Sequence, residues 1–433
     1  MMKTPLLMLF SGVLIIGSAF IAAAIQGPAG TPAALNAEAI KAYQAKDYAR
    51  FLALERRALE LAPTNPRVIY NVACGEALQN NPGEAVRLLD QLLVRKLDLG
   101  AETDDDFAGL HNTKEWTDFQ SRLAGLRKPV IRSEAAFTLA EPGLLATGIA
   151  TDPRTGDVFI ASVMQRKIVR RTKQGAVSDF IRSGQDGFLA GAWLAIDPNR
   201  GLLFASCAAV PFMSGYRKED AGQSGLFVWD LKSGRLVRKA MLAADGKRHF
   251  LNSLVVDRDG NAYVSDSGAP GIYRLRRGAD VLEVFVPDSV FRSTQGLAFS
   301  DDEKTLYVAD YTDGVWAVDI ATLERRRLQE PTDAWLVGLD GLTRVSDGFI
   351  AVQIGVRPQR VLRLRLDADG RRITDIRILE MNHPGYSGPI QGAISAGSFL
   401  YVANSQLDLG NGETGEFAAE RGRPTVVLRL PLQ

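Results

Sequence analysis

A chain of 433 residues, 46% hydrophobic and 23% charged, is globular and longer than one ordinary core requires. Its 51 basic and 50 acidic residues leave a formal charge of +1, which gives no bulk field toward nucleic acid or an anionic membrane surface and excludes nucleic acid as a partner. Two cysteines, Cys74 and Cys207, fall in different parts of the chain, exclude a disulfide framework and read as small buried apolar side chains.

Residues 1–24 read as a targeting segment. Lys3 precedes an apolar run over residues 6–16, and Ala22-Ala23-Ala24 supplies the small-residue pattern that suits signal-peptidase cleavage after Ala24. The expectation is an exported protein, periplasmic or secreted. Left uncleaved, the apolar stretch to Ile25 is long enough to anchor the chain in a membrane. Residues 25–35, rich in Gly, Pro and Ala, read as a linker.

Over residues 36–128 the apolar period is near 3.6, which predicts paired helices. The unit ending ALELAPTN at Asn65 and the unit starting at Pro66 match the 34-residue spacing of tetratricopeptide repeats. Tyr48 and Ala58 take packing positions in the first unit, and Ala73 and Ala85 are the small residues where the helices of the second cross. A shorter third unit follows the acidic turn Asp104-Asp105-Asp106, with Phe107, Leu110, Trp116, Phe119 and Leu123 on one face, as in a capping pair. This helical domain reads as a spacer packed on the rest of the chain, or as a groove for a protein partner.

Residues 134–433 read as strands. Six copies of one pattern, a turn residue, a short apolar strand, a Gly/Asp/Asn turn and a second apolar strand, are headed by Thr147, Ala192, Asn252, Gln295, Asp340 and Gln391, at intervals of 45, 60, 43, 45 and 51 residues. An all-strand repeat of that length predicts an all-β six-bladed propeller, whose first strands line a central channel and whose heads ring one mouth. Within a blade, TLYVADY, the turn Thr312-Asp313-Gly314 and VWAVDI read as a hairpin. The alternating TVVLRLPL at the C-terminus and AAFTLA from Ala135 have no partners inside the copies, so one end is expected to complete the blade begun by the other. The mouth is the default place for a small-molecule ligand. Thr147 and Gln391 are candidate contacts there by register, and His249, three residues before Asn252, is a candidate proton shuttle.

The motifs LNSLVVDRDGNAYVSDS, QGLAFSDDEKTLYVADY and LDGLTRVSDG resemble the gluconolactonase and regucalcin (senescence marker protein) family, over roughly residues 134–433. The resemblance implies one divalent cation, calcium favoured, at the channel mouth, with Asn252 and Asp340 matching its ligands and Asp340 also the catalytic base of lactone opening; Gln295 is a third candidate ligand through its carbonyl oxygen. The chain departs from the family at Thr147, where a metal-binding Glu is usual, at Gln295, where a second Asn is expected, and at Phe250, where an Arg meets substrate. Two functions follow: an exported metal-dependent hydrolase of lactones or small esters, or a non-catalytic propeller with a degenerate metal site that binds a ligand or a protein.

Overall fold

The computed structural model describes residues 30–287 and 289–432, so the expected leader lies outside the described residues. Five α-helices come first: α1 (Pro32–Gln44), α2 (Tyr48–Leu61), α3 (Pro66–Leu78), α4 (Pro82–Val94) and α5 (Lys114–Leu126). Helix α1 begins inside the segment read as linker. The Thr31 hydroxyl accepts from the Ala34 N–H at 3.3 Å and Pro32 occupies the first turn, where its missing N–H costs nothing.

Pro32 and Pro66 open equivalent helices 34 residues apart, as do Tyr48 and Pro82, so α1–α2 and α3–α4 are two copies of one helix pair. Ala39, Ala58, Ala73 and Ala85 are each 0% exposed, as close helix crossings require. A Cβ on Gly75 would lie 3.0 Å from Leu52, which marks the approach of α2 and α3. The third unit is a 3-10 turn, Asp105–Leu110, with α5, and its Phe107, Trp116 and Phe119 pack ring on ring at 5.7 and 5.2 Å. The acidic turn docks through two tyrosines: the Tyr43 hydroxyl donates to Asp106 at 2.6 Å and the Tyr70 hydroxyl to Asp104 at 2.7 Å. Among the described residues no helix is long and apolar enough to cross a membrane.

The remainder is a six-bladed propeller of four-stranded antiparallel sheets. The innermost strands are Ala146–Thr151, Ala190–Asp197, Leu251–Val256, Thr294–Phe299, Leu339–Val345 and Gly392–Ser395, each packed on the next and the last on the first. Strand Glu134–Leu139 lies antiparallel to Thr425–Pro431, so the N-terminal end supplies the outer strand of a sixth blade whose other three strands come from the C-terminus. Both sequence expectations, blade number and shared closure, hold. Cys74 in the helices and Cys207 in the propeller are free and buried.

In each blade the chain leaves the head end along the inner strand and comes back to it after the second and fourth strands. The helical domain sits at that same end. The Asp98 N–H donates to the Arg357 carbonyl at 2.8 Å, the Asn382 amide to the Arg127 carbonyl at 2.5 Å, and Val130 pairs with Met381. Val356, Met381 and the half-buried Trp335 join the apolar core of the helices. All these propeller residues lie on loops and strand ends at the head end of the fourth and fifth blades. Two long insertions, residues 209–223 from the second blade and 403–424 from the sixth, meet one another over the first: a Cβ on Gly410 would lie 2.6 Å from the Phe212 ring and one on Gly415 3.1 Å from the Pro211 carbonyl.

Candidate active site at the channel mouth

Every head residue sits in a β-bulge. Ala146 pairs with Ser162 and Ile149 with Ile160, which leaves Thr147 and Gly148 opposite the single Ala161. Asn252 with Ser253 and Gln295 with Gly296 occupy the same two-for-one position in the third and fourth blades. Ala192 and Asp340 are the extra residues of the second and fifth. In the sixth, the Ile390 N–H bonds Val402 and Gly392 pairs with Tyr401, so Gln391 is the extra residue. A bulge bends its strand and re-aims the side chain it carries. This is the local device that lifts six side chains at one register out of their sheets.

Small residues follow five of the six heads, all but Ala192, because the inner strands crowd there. A Cβ on Gly296 would lie 2.5 Å from the Leu342 nitrogen, and one on Gly148 3.0 Å from the Trp193 Cα. Hydrogen bonds tie the heads blade to blade. Thr147 Oγ1 donates to the Gly191 carbonyl at 2.6 Å, Ser206 Oγ to the Asn252 carbonyl at 2.5 Å, and Ser265 Oγ to the Gln295 carbonyl at 2.8 Å. Asn252 Nδ2 donates to Gln295 Oε1, which brings two of the expected metal ligands into direct contact. The Gln391 backbone N–H favours the ionised form of the Asp340 carboxyl.

The ring has two unlike halves. Gln391, Thr147 and Ala192, on the sixth, first and second blades, are 2, 8 and 3% exposed, beneath the paired insertions. Asn252, Gln295 and Asp340, on the third, fourth and fifth, are only half-buried and reach water. The three side chains expected as metal ligands are therefore the three that a ligand can reach. Thr147, spent on the Gly191 carbonyl, is a strut of the closed half. Gln391 is different, because its buried Nε2 has no hydrogen-bond partner among the described residues. An unpaired buried amide costs about 1–3 kcal/mol.

Asp340 is the one carboxylate among the six heads. Burial pushes its pKa up to about 7, opposed by the Gln391 N–H. Such a group changes charge in the range where general bases work. Tyr311, at the same rim, is also pushed up, first by burial and then by the Asp340 charge, with Arg67 of α3 acting in the opposite sense.

His249 is placed otherwise than as an open shuttle. Its Nδ1 lies 2.5 Å from Asp266 and its Nε2 2.9 Å from Asp245, so both ring nitrogens are engaged. Asp266 also accepts from the N–H groups of Phe250, Gly268 and Ala269, which makes the cluster a clamp on the loop that carries Phe250. The Asp266 hydrogen bond is the main reason the His249 pKa is raised, burial opposing and Asp245 adding.

Asp340 and the amide oxygens of Asn252 and Gln295 would offer a divalent cation one charged ligand and two neutral ones, the Gln295 oxygen already accepting from Asn252, whereas a hard cation such as calcium takes six to eight oxygens, several of them charged. Asp340 carries an uncompensated charge that a cation would stabilise. Among the described residues, the three side chains of Cys, His, Asp or Glu type that converge closely enough for a metal are instead Cys74, Asp104 and Asp106, in the helical domain and already held by Tyr43 and Tyr70.

Sequence reasoning missed Trp193, which reaches across the channel from the second blade to the fifth, 3.4 Å from where a Cβ on Gly341 would lie. It also missed the brace behind Asp340. Gln353, paired with Leu339, donates to the carbonyls of Trp335 and Val337 at 2.7 Å each and accepts from Arg360 at 2.6 Å. Arg360, 4% exposed, donates in turn to the Lys96 carbonyl of the helical domain at 2.9 Å. No sequence signal marks contacts so far apart in the chain.

Residues 220–384 match the family model described as the SMP-30/Gluconolactonase/LRE-like region. That stretch is less than half of the chain, and it contains Asn252, Gln295 and Asp340. The resemblance seen in the motifs is borne out there. Three solved structures are similar. Luciferin-regenerating enzyme is 14% identical over 70% of this chain and 96% of its own, with a TM-score of 0.48. Regucalcin, a calcium-binding protein from Agrobacterium tumefaciens, is 17% identical over 69% and 95%, at 0.47. A gluconolactonase from Xanthomonas campestris is 17% identical over 70% and 94%, at 0.46. No curated protein matches.

Proposed function

We propose that this gluconolactonase-like propeller binds a lactone or small ester in the open half of its mouth and hydrolyses it with Asp340 as the base. The observation that carries the reading is the Asp340 carboxyl, with its pKa near 7, on a bulge in the half of the ring that water reaches. Ionised Asp340 takes a proton from a water that adds to the ligand carbonyl. The C–O bond of the ester then breaks, and the leaving alkoxide regains the proton from Asp340. Asn252 and Gln295, amides in contact with one another, orient the ligand's oxygens. A divalent cation, calcium favoured, would be held by Asp340, Asn252 and Gln295, and when bound would polarise the carbonyl. Export through the leader belongs to the same proposal and rests on Lys3 and Ala22-Ala23-Ala24; an intact Met1 in a cytoplasmic fraction would refute it.

The second reading, a binding propeller without catalysis, is favoured by one observation: Thr147 stands where the family resemblance implies a Glu, and its hydroxyl is already spent on Gly191. Thermal melts with calcium, magnesium, manganese and zinc, beside a panel of lactones, separate the two. The hydrolase reading expects consumption of at least one lactone and loss of that activity in Asp340→Ala. Ligand-dependent stabilisation with every lactone left intact selects the binding module.

A further inference from the structure

In the helical domain, acidic side chains and a thiol converge on one seam. Asn36 and Tyr43, two helical turns apart on α1, share a face, and Tyr70, Asn71 and Cys74 share one on α3. The two faces meet, since Asn71 Nδ2 donates to Asn36 Oδ1 at 3.1 Å. The acidic turn closes over them, held by the Tyr43 hydroxyl on Asp106 and the Tyr70 hydroxyl on Asp104. The Cys74 sulfur and one oxygen each of Asp104 and Asp106 lie within 4.8 Å of one another. Cys74 is 4% exposed and both aspartates are half-buried, so the cluster opens to water on the side of the turn.

Glu55, which comes from α2 and not from the turn, is 0% exposed. Its Oε1 accepts from the same Asn71 amide at 3.1 Å, one turn before Cys74 on the shared face of α3. Its Oε2 has no hydrogen-bond partner among the described residues. No ion pair reaches Glu55, Asp104 or Asp106 among those residues either. A buried carboxyl oxygen with neither a donor nor a cation is costly, and a bound metal with its water supplies both.

We propose that this seam is a zinc site: the Cys74 thiolate and the Asp104 and Asp106 carboxylates hold Zn2+ on three sides, and Glu55 Oε2 accepts from the water that takes the fourth. A thiolate beside carboxylates suits zinc, which bonds sulfur and oxygen tetrahedrally, over calcium, which takes oxygen alone. Around a tetrahedral zinc such ligand atoms stand roughly 3.5 Å apart, so side-chain rotation has to close the cluster by at most about 1 Å. The two tyrosine hydroxyls then orient the ligating carboxylates, as hydrogen-bond donors commonly do around a metal. Zinc in this place ties α1, α3 and the acidic turn together, and it does so independently of the channel mouth.

The test is Zn2+ titration of the full-length protein after dialysis against a chelator, read by competition with a chromophoric chelator. Wild type and Asp340→Asn are expected to bind one zinc per chain with equal affinity, and Cys74→Ser and Asp104→Asn to bind it at least about tenfold more weakly. Co2+ in place of zinc should give a thiolate charge-transfer band in the near ultraviolet that Cys74→Ser abolishes. The Asp104→Asn amide oxygen still accepts from Tyr70, so that variant decides the matter if circular dichroism shows Cys74→Ser unfolded. No zinc bound by the wild type, or affinity unchanged in Cys74→Ser and Asp104→Asn, overturns the proposal. Zinc binding lost in Asp340→Asn places the ion at the mouth and overturns it as well.

Discussion

The indole of Trp193 on the second blade and the backbone of Gly341 on the fifth meet across the channel, with 3.4 Å between the ring and the point where a Cβ on Gly341 would stand. The channel is therefore bridged just inside its mouth. The same Cβ would lie 3.0 Å from Gln391 Cβ and 3.1 Å from its Cα, so Gly341 has no room on either side. Gly341→Ala is expected to cost about 1–3 kcal/mol from overpacking. Gly83→Ala, where a Cβ meets nothing within 4 Å, is the control. Denaturant midpoints of the two variants check this.

The raised pKa of Asp340 makes stability fall with pH. The carboxyl titrates near 7 in the folded protein against an ordinary 3.8, so between those values the folded state holds a proton that the unfolded state has released. Its contribution is most favourable below 3.8 and is lost as pH rises through 7. At about 1.36 kcal/mol per pKa unit the whole shift amounts to at most about 4 kcal/mol, reduced by water in the mouth. Asp340→Asn should match the wild type near pH 4 and melt higher at pH 8. Melting curves at the two pH values check it, and a bound cation would cancel the difference.

Adding the missing carboxylate should strengthen any cation site. Thr147→Glu gives up the bond to the Gly191 carbonyl, worth about 1 kcal/mol, and so lowers the melting temperature in chelator. In calcium the variant should gain more than the wild type does, since stabilisation follows RT ln(1 + [L]/Kd), about 2.7 kcal/mol at a hundred times Kd. Melts in chelator and in calcium measure both terms.

Arg360 links the helical domain to the blade of Asp340 with no carboxylate beside it, and burial draws its pKa down to about 10. Arg360→Ala strands Gln353 Oε1 and the Lys96 carbonyl, a loss of about 2–4 kcal/mol. Limited proteolysis should then cut first near residues 127–133, between helices and propeller, while the wild type resists.

Removal of residues 425–433 should unfold the propeller altogether. It deletes the third strand of the sixth blade and leaves Glu134–Leu139 without its only neighbour in the sheet. Circular dichroism of the truncated chain should show no cooperative melt.

The fold was legible because its repeats are local. Each strand pair is joined by a short turn such as Asp313-Gly314, and the alternating TVVLRLPL needed a partner that only AAFTLA offered. Helix α1 was missed at its start because a Gly/Pro/Ala composition outweighed the Thr31 cap and a proline that suits the first turn. At the mouth, residue types were legible and their exposure was not. Thr147, Gln391, Asn252, Gln295 and Asp340 share one register, but the insertions from the second and sixth blades close three positions of the ring and leave Asn252, Gln295 and Asp340 open. His249 shows the same limit, since its partners Asp245 and Asp266 are revealed by loop geometry.

The most direct measurement is lactone turnover by wild type and Asp340→Asn side by side, across pH 5 to 9, with and without calcium. If Asp340 is the base, wild-type activity rises through a pH near 7 as the carboxyl ionises, and the variant loses both the activity and that inflection. Turnover in Asp340→Asn equal to wild type, or a wild type that leaves every lactone intact at all pH values, would contradict it.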